Sequence, residues 1–313
     1  MRGEEVIKNN IYQKQNEAVN IMKLASMRYL YSQGKISMGI NLIISVPFII
    51  IISCLPIFFG ANELYRELIS IASVIVIGFG FFFDHRMEEY KSKAAAMQES
   101  FDTSVMELEW NDTQSSGIPD KEDILAISNK YKKIEPEFES LKNWYPKAVQ
   151  EIPLFAARLI CQRTNLWWDI SLRRNFLTHL TILTVILFFI LLAIALIGGI
   201  TVLDFILKVI VPFLPLARFT YKQFYDNYKA MKSINSLKQK IERSFNEILN
   251  KDLNSSDITK KSRSFQDEIF KHRKSCPLIF DWFYFRYRKE QESISNYSAD
   301  ESVVQYKIAK GIQ

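Results

Sequence analysis

Three groupings in this 313-residue chain have residue types and spacing that could do chemistry. Asp84, His85 and Arg86 are contiguous, and a carboxylate beside an imidazole could hydrolyse or handle protons. They lack a nearby serine or cysteine nucleophile, so anchoring charge at a membrane edge is the preferred reading. Trp167, Trp168 and Asp169 form a second run. Adjacent indoles point about 100° apart on a helix, so one can face lipid while the other packs or stacks on a base. Asp204 and Lys208 stand one helical turn apart in an apolar stretch. Either Lys208 faces a pore or pairs with Asp204, or Asp204 lies at the outer surface with Lys208 snorkelling outward; the second reading is preferred.

Catalytic signatures are missing. The sequence has no glycine-rich phosphate loop and no His-Glu-x-x-His, and Gly78 and Gly80 read as helix-packing glycines. Three cysteines (Cys54, Cys161, Cys276) and three histidines (His85, His179, His272) are scattered. That argues against a disulfide framework and a thiolate metal site, and no cofactor is expected. An enzyme is the least favoured class.

The hydropathy pattern predicts that these residues are carried by membrane helices and their extensions. Residues 36–59 carry no charge, long enough for a span of about 20 residues. Pro47 lies inside it and predicts a kink. A second span follows at about 64–83, after a link too short for anything but antiparallel neighbours. A third is predicted at 177–198, ended by Gly198 and Gly199, and a fourth at 202–221, which contains Asp204, Lys208 and Arg218. The fold class is therefore an all-α integral membrane protein, with four spans as two hairpins extended into a helical cytoplasmic domain. Its predicted parts are 1–35 (N-terminal helix), 36–83 (first hairpin), 84–176 (cytoplasmic), 177–221 (second hairpin) and 222–313 (basic, cytoplasmic). The first 35 residues hold no apolar signal core. Basic residues at Arg28, Lys35, Arg86, Lys91, Arg173, Arg174, Arg218 and Lys222 put both termini in the cytoplasm.

The soluble parts read as helices. Residues 11–34 form an amphipathic arm with Val19, Met22, Leu24, Ala25 and Tyr29 on its apolar face. A helix continues over 84–110, Asp120 caps a short helix ending near Lys133, and 135–153 is irregular. From Leu154 no breaker interrupts the run into the third span. Ile234, Leu237, Ile241, Phe245 and Ile248 mark one helical face, suited to another helix or a second subunit. Residues 276–290 form an aromatic and basic cluster, and the tail from Ser293 reads as polar and loose. Residues 218–313 carry 19 positive and 12 negative charges, so anionic lipid or an anionic ligand is the expected partner.

Three stretches together resemble a known family. They are 9–31 (NNIYQKQNEAVNIMKLASMRYLY), 141–174 (LKNWYPKAVQEIPLFAARLICQRTNLWWDISLRR) and the tail with Pro277, Asp281, Trp282 and Tyr284. They are similar to the SMODS-associated four-transmembrane effector family, and the resemblance covers nearly the whole chain. It implies a pore-forming or membrane-disrupting effector of bacterial anti-phage defence (CBASS), seated in the inner membrane. A nucleotidyltransferase partner makes a cyclic oligonucleotide, and the effector senses it and breaches the bilayer, ending the infected cell. A four-helix monomer is thin for a pore, so a homo-oligomer is expected, with no DNA or RNA partner. For such a ligand the candidates are Arg158, Arg163, Arg173 and Arg174 on the phosphates, with lipid anchoring the preferred reading of the last two, and Trp167 or Trp168 for stacking. An ion channel or transporter, or a non-conducting membrane scaffold, are the alternatives.

Overall fold

A computed structural model describes residues 8–44, 63–113, 117–197, 201–206 and 210–312. Pro47 and Lys208 lie outside them. Every regular element among the described residues is helical. In chain order these are α1 (Ile11–Gln15), α2 (Ala18–Ile43), α3 (Glu63–Met106), α4 (Lys121–Lys132), two 3-10 turns (Glu139–Leu141 and Lys147–Glu151), α5 (Leu154–Ile197), α6 (Val202–Phe205), α7 (Val211–Asn250), α8 (Ser255–Ser275) and α9 (Asp281–Lys310). The chain divides into two compact units.

The first unit gathers Met1–Ser32, Tyr90–Arg173 and Lys229–Gln313. Its core joins Leu24 and Met27 of α2, Phe101 of α3, Leu159 of α5, Ile241 of α7, Ile269 of α8 and Val303 of α9. The α7 stripe at 234, 237, 241, 245 and 248 is buried in this core. Each such side chain gains about 1.5–3 kcal/mol over an exposed one. Helix ends follow local chemistry. Asn254 accepts from the Ser256 amide at the start of α8, and Gly311 takes φ 64° to close α9. Asp120 precedes α4 as expected, but its side chain makes no capping bond. Asn9 and Gln15 pin the irregular stretch, the first by Nδ2 donating to the carbonyls of Val149 and Ile152 (2.6 and 2.7 Å), the second by bonds to both backbone groups of Tyr145.

A polar network crosses this core. Asp102, with zero exposure, accepts from Tyr145 Oη (2.7 Å), Gln266 Nε2 (3.0 Å) and Arg273 Nη1 (2.6 Å). Glu99, one turn earlier, accepts from Arg263 Nη2 (2.6 Å) and Gln266 Nε2 (2.8 Å). Burial and the neighbouring Asp102 push the Glu99 carboxyl up, against the pull of Arg263 and Gln266.

The second unit comprises Gln33–Glu89 and Arg174–Tyr228. Its described helices turn apolar side chains outward: Val74, Phe79 and Phe81 on α3, and Ile182, Leu183, Ile186, Phe189 and Ile190 on α5. Asn41 Nδ2 donates to Asp84 Oδ1 (2.7 Å), pairing α2 with α3, and the Thr184 and Thr220 hydroxyls pair α5 with α7 at 2.9 Å. A Cβ at Gly80 would sit 3.5 Å from Asn41 Oδ1, while one at Gly78 would meet nothing within 4 Å, so close approach involves Gly80 alone of the two. Among the described residues one segment, Leu154–Ile190, is long and apolar enough to cross a membrane.

Four sequence expectations are corrected. The tail beyond Ser293 continues α9, because Ser295, Ala299, Val303 and Tyr306 recur on one buried face. Val19 is exposed, and Ile21, Leu24 and Ala25 carry the buried face of α2. Arg28 is not a flanking charge: its guanidinium lies 4.4 Å from the Tyr284 ring centre and donates to Tyr284 Oη. Finally, α3 stops at Met106, where Glu107 turns to φ 52°. Val303→Asp should cost about 3 kcal/mol or more, because it buries an unpaired carboxylate. The adjacent exposed Val304→Asp should change stability by less than about 0.5 kcal/mol. Thermal unfolding in detergent measures both, and equal effects would contradict the packed tail.

Candidate functional site

Among the described residues of the first unit, α7 walls two recesses. The smaller, about 290 Å³, is lined by Leu159 and Arg163 of α5, Glu242 and Phe245 of α7, and Ser298 and Glu301 of α9. Arg163 donates from Nε to Glu242 Oε1 (2.9 Å) and from Nη1 to Ser298 Oγ (2.9 Å). Lys238, one turn before Glu242, donates to the same oxygen at 2.9 Å. Burial works against the Glu242 carboxylate, yet its bonds to Lys238 and Arg163 hold its pKa below the ordinary value. Two cations thus share one carboxylate, leaving donors for a further anion. The larger recess, about 390 Å³, is lined by Lys229, Lys232, Ser233, Ser236 and Lys240 of α7 and by Glu268 of α8.

The other expected ligand residues have structural partners. Arg158 donates from Nε to the Met106 carbonyl (2.6 Å), from Nη2 to the Glu107 carbonyl (2.7 Å) and from Nη1 to Thr259 Oγ1 (2.9 Å). It satisfies carbonyls left open where α3 ends. Arg173 donates to Asp169 Oδ2 (2.9 Å) and to the Pro277 carbonyl (2.9 Å), which fixes the junction of α8 and α9. Trp168 packs on Tyr284 at 6.1 Å between ring centres, and Trp167 is half-buried. Arg174 is exposed and belongs to the second unit. The Asp204 side chain and Lys208 lie outside the described residues.

Sequence reasoning missed the lysines of the larger recess. Their signal was present: 229, 232, 233, 236 and 240 form a polar face beside the apolar 234–248 stripe. It also missed the partners of His272. The imidazole Nε2 donates to Asp169 Oδ2 at 2.6 Å, beside Arg173 and Cys276. Burial opposes its charge, but Cys276 and Asp169 outweigh burial and lift the imidazole to about 9.

A family model described as the SMODS-associating 4TM effector domain matches residues 9–302. The chain belongs to that family of effectors. It is also 27% identical over 288 residues to a Bacillus cereus (strain VD146) protein named as a probable CBASS effector molecule, an alignment covering 90% of this chain and 95% of that protein. No solved structure matches.

His272 gives a pH prediction. A raised pKa contributes stability that is complete below the unfolded value near 6.5 and lost as pH rises through about 9. The melting temperature of the full chain should therefore fall across that window, and the fall should shrink in His272→Gln. An identical fall in the variant would contradict the assignment.

Proposed function

We propose that this protein is a membrane effector of CBASS anti-phage defence, gated by a cyclic oligonucleotide that its helical unit senses. The observation that carries the reading lies on one helix. Arg158 and Gln162 of α5 are buried among polar partners, whereas Ile182, Leu183, Ile186, Phe189 and Ile190 point outward over about a third of the circumference. Apolar surface on that scale needs lipid or another chain. The family and the named relative support the CBASS context.

In this reading the four predicted spans cross the bacterial inner membrane as two hairpins with both termini in the cytoplasm. The sensing unit is made of the segments between and after them. Arg163 and Glu242 clasp α5 to α7, and both helices also supply residues to the second unit. A phosphate that takes Arg163 from Glu242 loosens the clasp, and a ligand shifts the equilibrium only by its differential affinity for the two states. Opening a path wide enough for solutes requires several copies, since four helices enclose too little space. A nucleotidyltransferase supplies the ligand, and the bilayer is the target.

The test is dye release from liposomes carrying the purified chain, with and without cyclic di- and trinucleotides. Release with at least one nucleotide is expected, abolished when a phosphodiesterase destroys it. Arg163→Glu should raise the nucleotide concentration needed by about tenfold or more, equivalent to 1.4 kcal/mol. An inserted chain that stays tight with every nucleotide would leave a non-conducting scaffold as the better reading.

A further inference from the structure

The larger recess is lined by cations that the described residues leave unneutralised. Lys229, Lys232 and Lys240 share one face of α7 with Ser233 and Ser236, a stretch of twelve residues or about 16 Å. Four other lysines of the basic C-terminal part have carboxylate partners: Lys238 with Glu242, Lys261 with Glu247, Lys307 with Glu151 and Lys310 with Asp252. The three recess lysines make no ion pair among the described residues. Four residues after Lys238 comes Glu242, whereas four residues after Lys229, Lys232 and Lys240 come Ser233, Ser236 and Ser244. The usual helical ion-pair partner is replaced by a hydroxyl each time.

That pattern places a set of donors in the recess wall beside the apolar side chains of Ile234 and Leu237. Each ammonium carries three donors and no acceptor, and each serine adds an O–H. Such a set suits an anion with several oxygens. The recess volume, about 390 Å³, falls in the range of small-molecule sites. Glu268 on the α8 side supplies one acceptor, which repels a bare polyanion and favours a ligand that also carries hydroxyl or amino groups.

We propose that this recess binds the phosphodiester groups of a nucleotide-type ligand. Lys229, Lys232 and Lys240 contact phosphate oxygens, Ser233 and Ser236 donate to them, and Glu268 accepts from a sugar hydroxyl or an exocyclic amine. For the source of the phosphodiester this rests on the reading of the chain as a nucleotide-gated effector. The same donors would take an anionic phospholipid headgroup, and the experiment separates the two.

The full chain in neutral detergent would be titrated calorimetrically with cyclic di-AMP, cyclic di-GMP, cyclic GMP-AMP and cyclic tri-AMP. In parallel it would be floated with vesicles of phosphatidylcholine, with and without phosphatidylglycerol. The variants are Lys232→Gln with Lys240→Gln, the same pair to Arg, and Lys260→Gln as an exposed control outside the recess. Affinity for at least one nucleotide should fall tenfold or more in the glutamine pair, recover in the arginine pair and stay unchanged in the control. A loss seen only with phosphatidylglycerol vesicles would support the phosphate chemistry and overturn the nucleotide as its source. If neither probe depends on the lysines, the site is overturned. Nucleotide-triggered dye release untouched by the glutamine pair would overturn the site and leave the gated effector standing. Lysine-dependent nucleotide binding without release from the wild type would do the reverse.

Discussion

The buried carboxylate of Asp102 is the constraint on which the first unit depends. A carboxylate with no exposure is tolerated only when its oxygens are paired, and here the partners come from distant segments: Tyr145 of the irregular stretch and Gln266 and Arg273 of α8. Removing one side of such a buried pair costs about 3–5 kcal/mol. Segments separated by two long apolar stretches of sequence are thereby held in one register. Glu99 extends the arrangement, sharing Gln266 with Asp102 and adding Arg263. Arg158 and Arg173 belong to the same scheme, since each satisfies carbonyls where a helix ends or turns.

In the proposed reading, phosphate binding therefore moves away from the arginines that the sequence favours. Arg158 and Arg173 are locked by short bonds to backbone and carboxylate, so recruiting them for a ligand would cost the fold its helix ends. Arg163 differs, because its partner Glu242 is shared with Lys238 and stands at a recess. Lys229, Lys232 and Lys240 differ further, having no ion-pair partner to lose among the described residues. In the proposed mechanism the structural cations stay fixed while the recess cations respond.

Much of the fold was legible in the sequence. The 234–248 stripe had regular helical gaps, and the run from Leu154 lacked any breaker, so both helices were visible. The tail after Ser293 was not. Its buried face is built from Ser295, Ala299, Val303 and Tyr306, and two of these are too small or polar to register as an apolar period. Val19 misled in the opposite direction, being apolar yet exposed. At the site, long-range pairing was the hidden quantity. Asp169 and His272 stand 103 positions apart, as do no neighbours a periodicity could reveal, and Arg158 gave no sequence sign that it would cap α3. The lysine face was readable from spacing alone, but its importance depends on the recess beside it.

In the proposed reading, one chain joins an internally bonded helical unit to helices that sit in lipid. Spin labels placed singly at Phe189, Val74 and Lys232 in liposomes test it most directly, through accessibility to oxygen, which concentrates in lipid, and to a water-soluble relaxation agent. Labels at Phe189 and Val74 should favour oxygen, and a label at Lys232 should favour the aqueous agent. Aqueous accessibility at all three positions would contradict it.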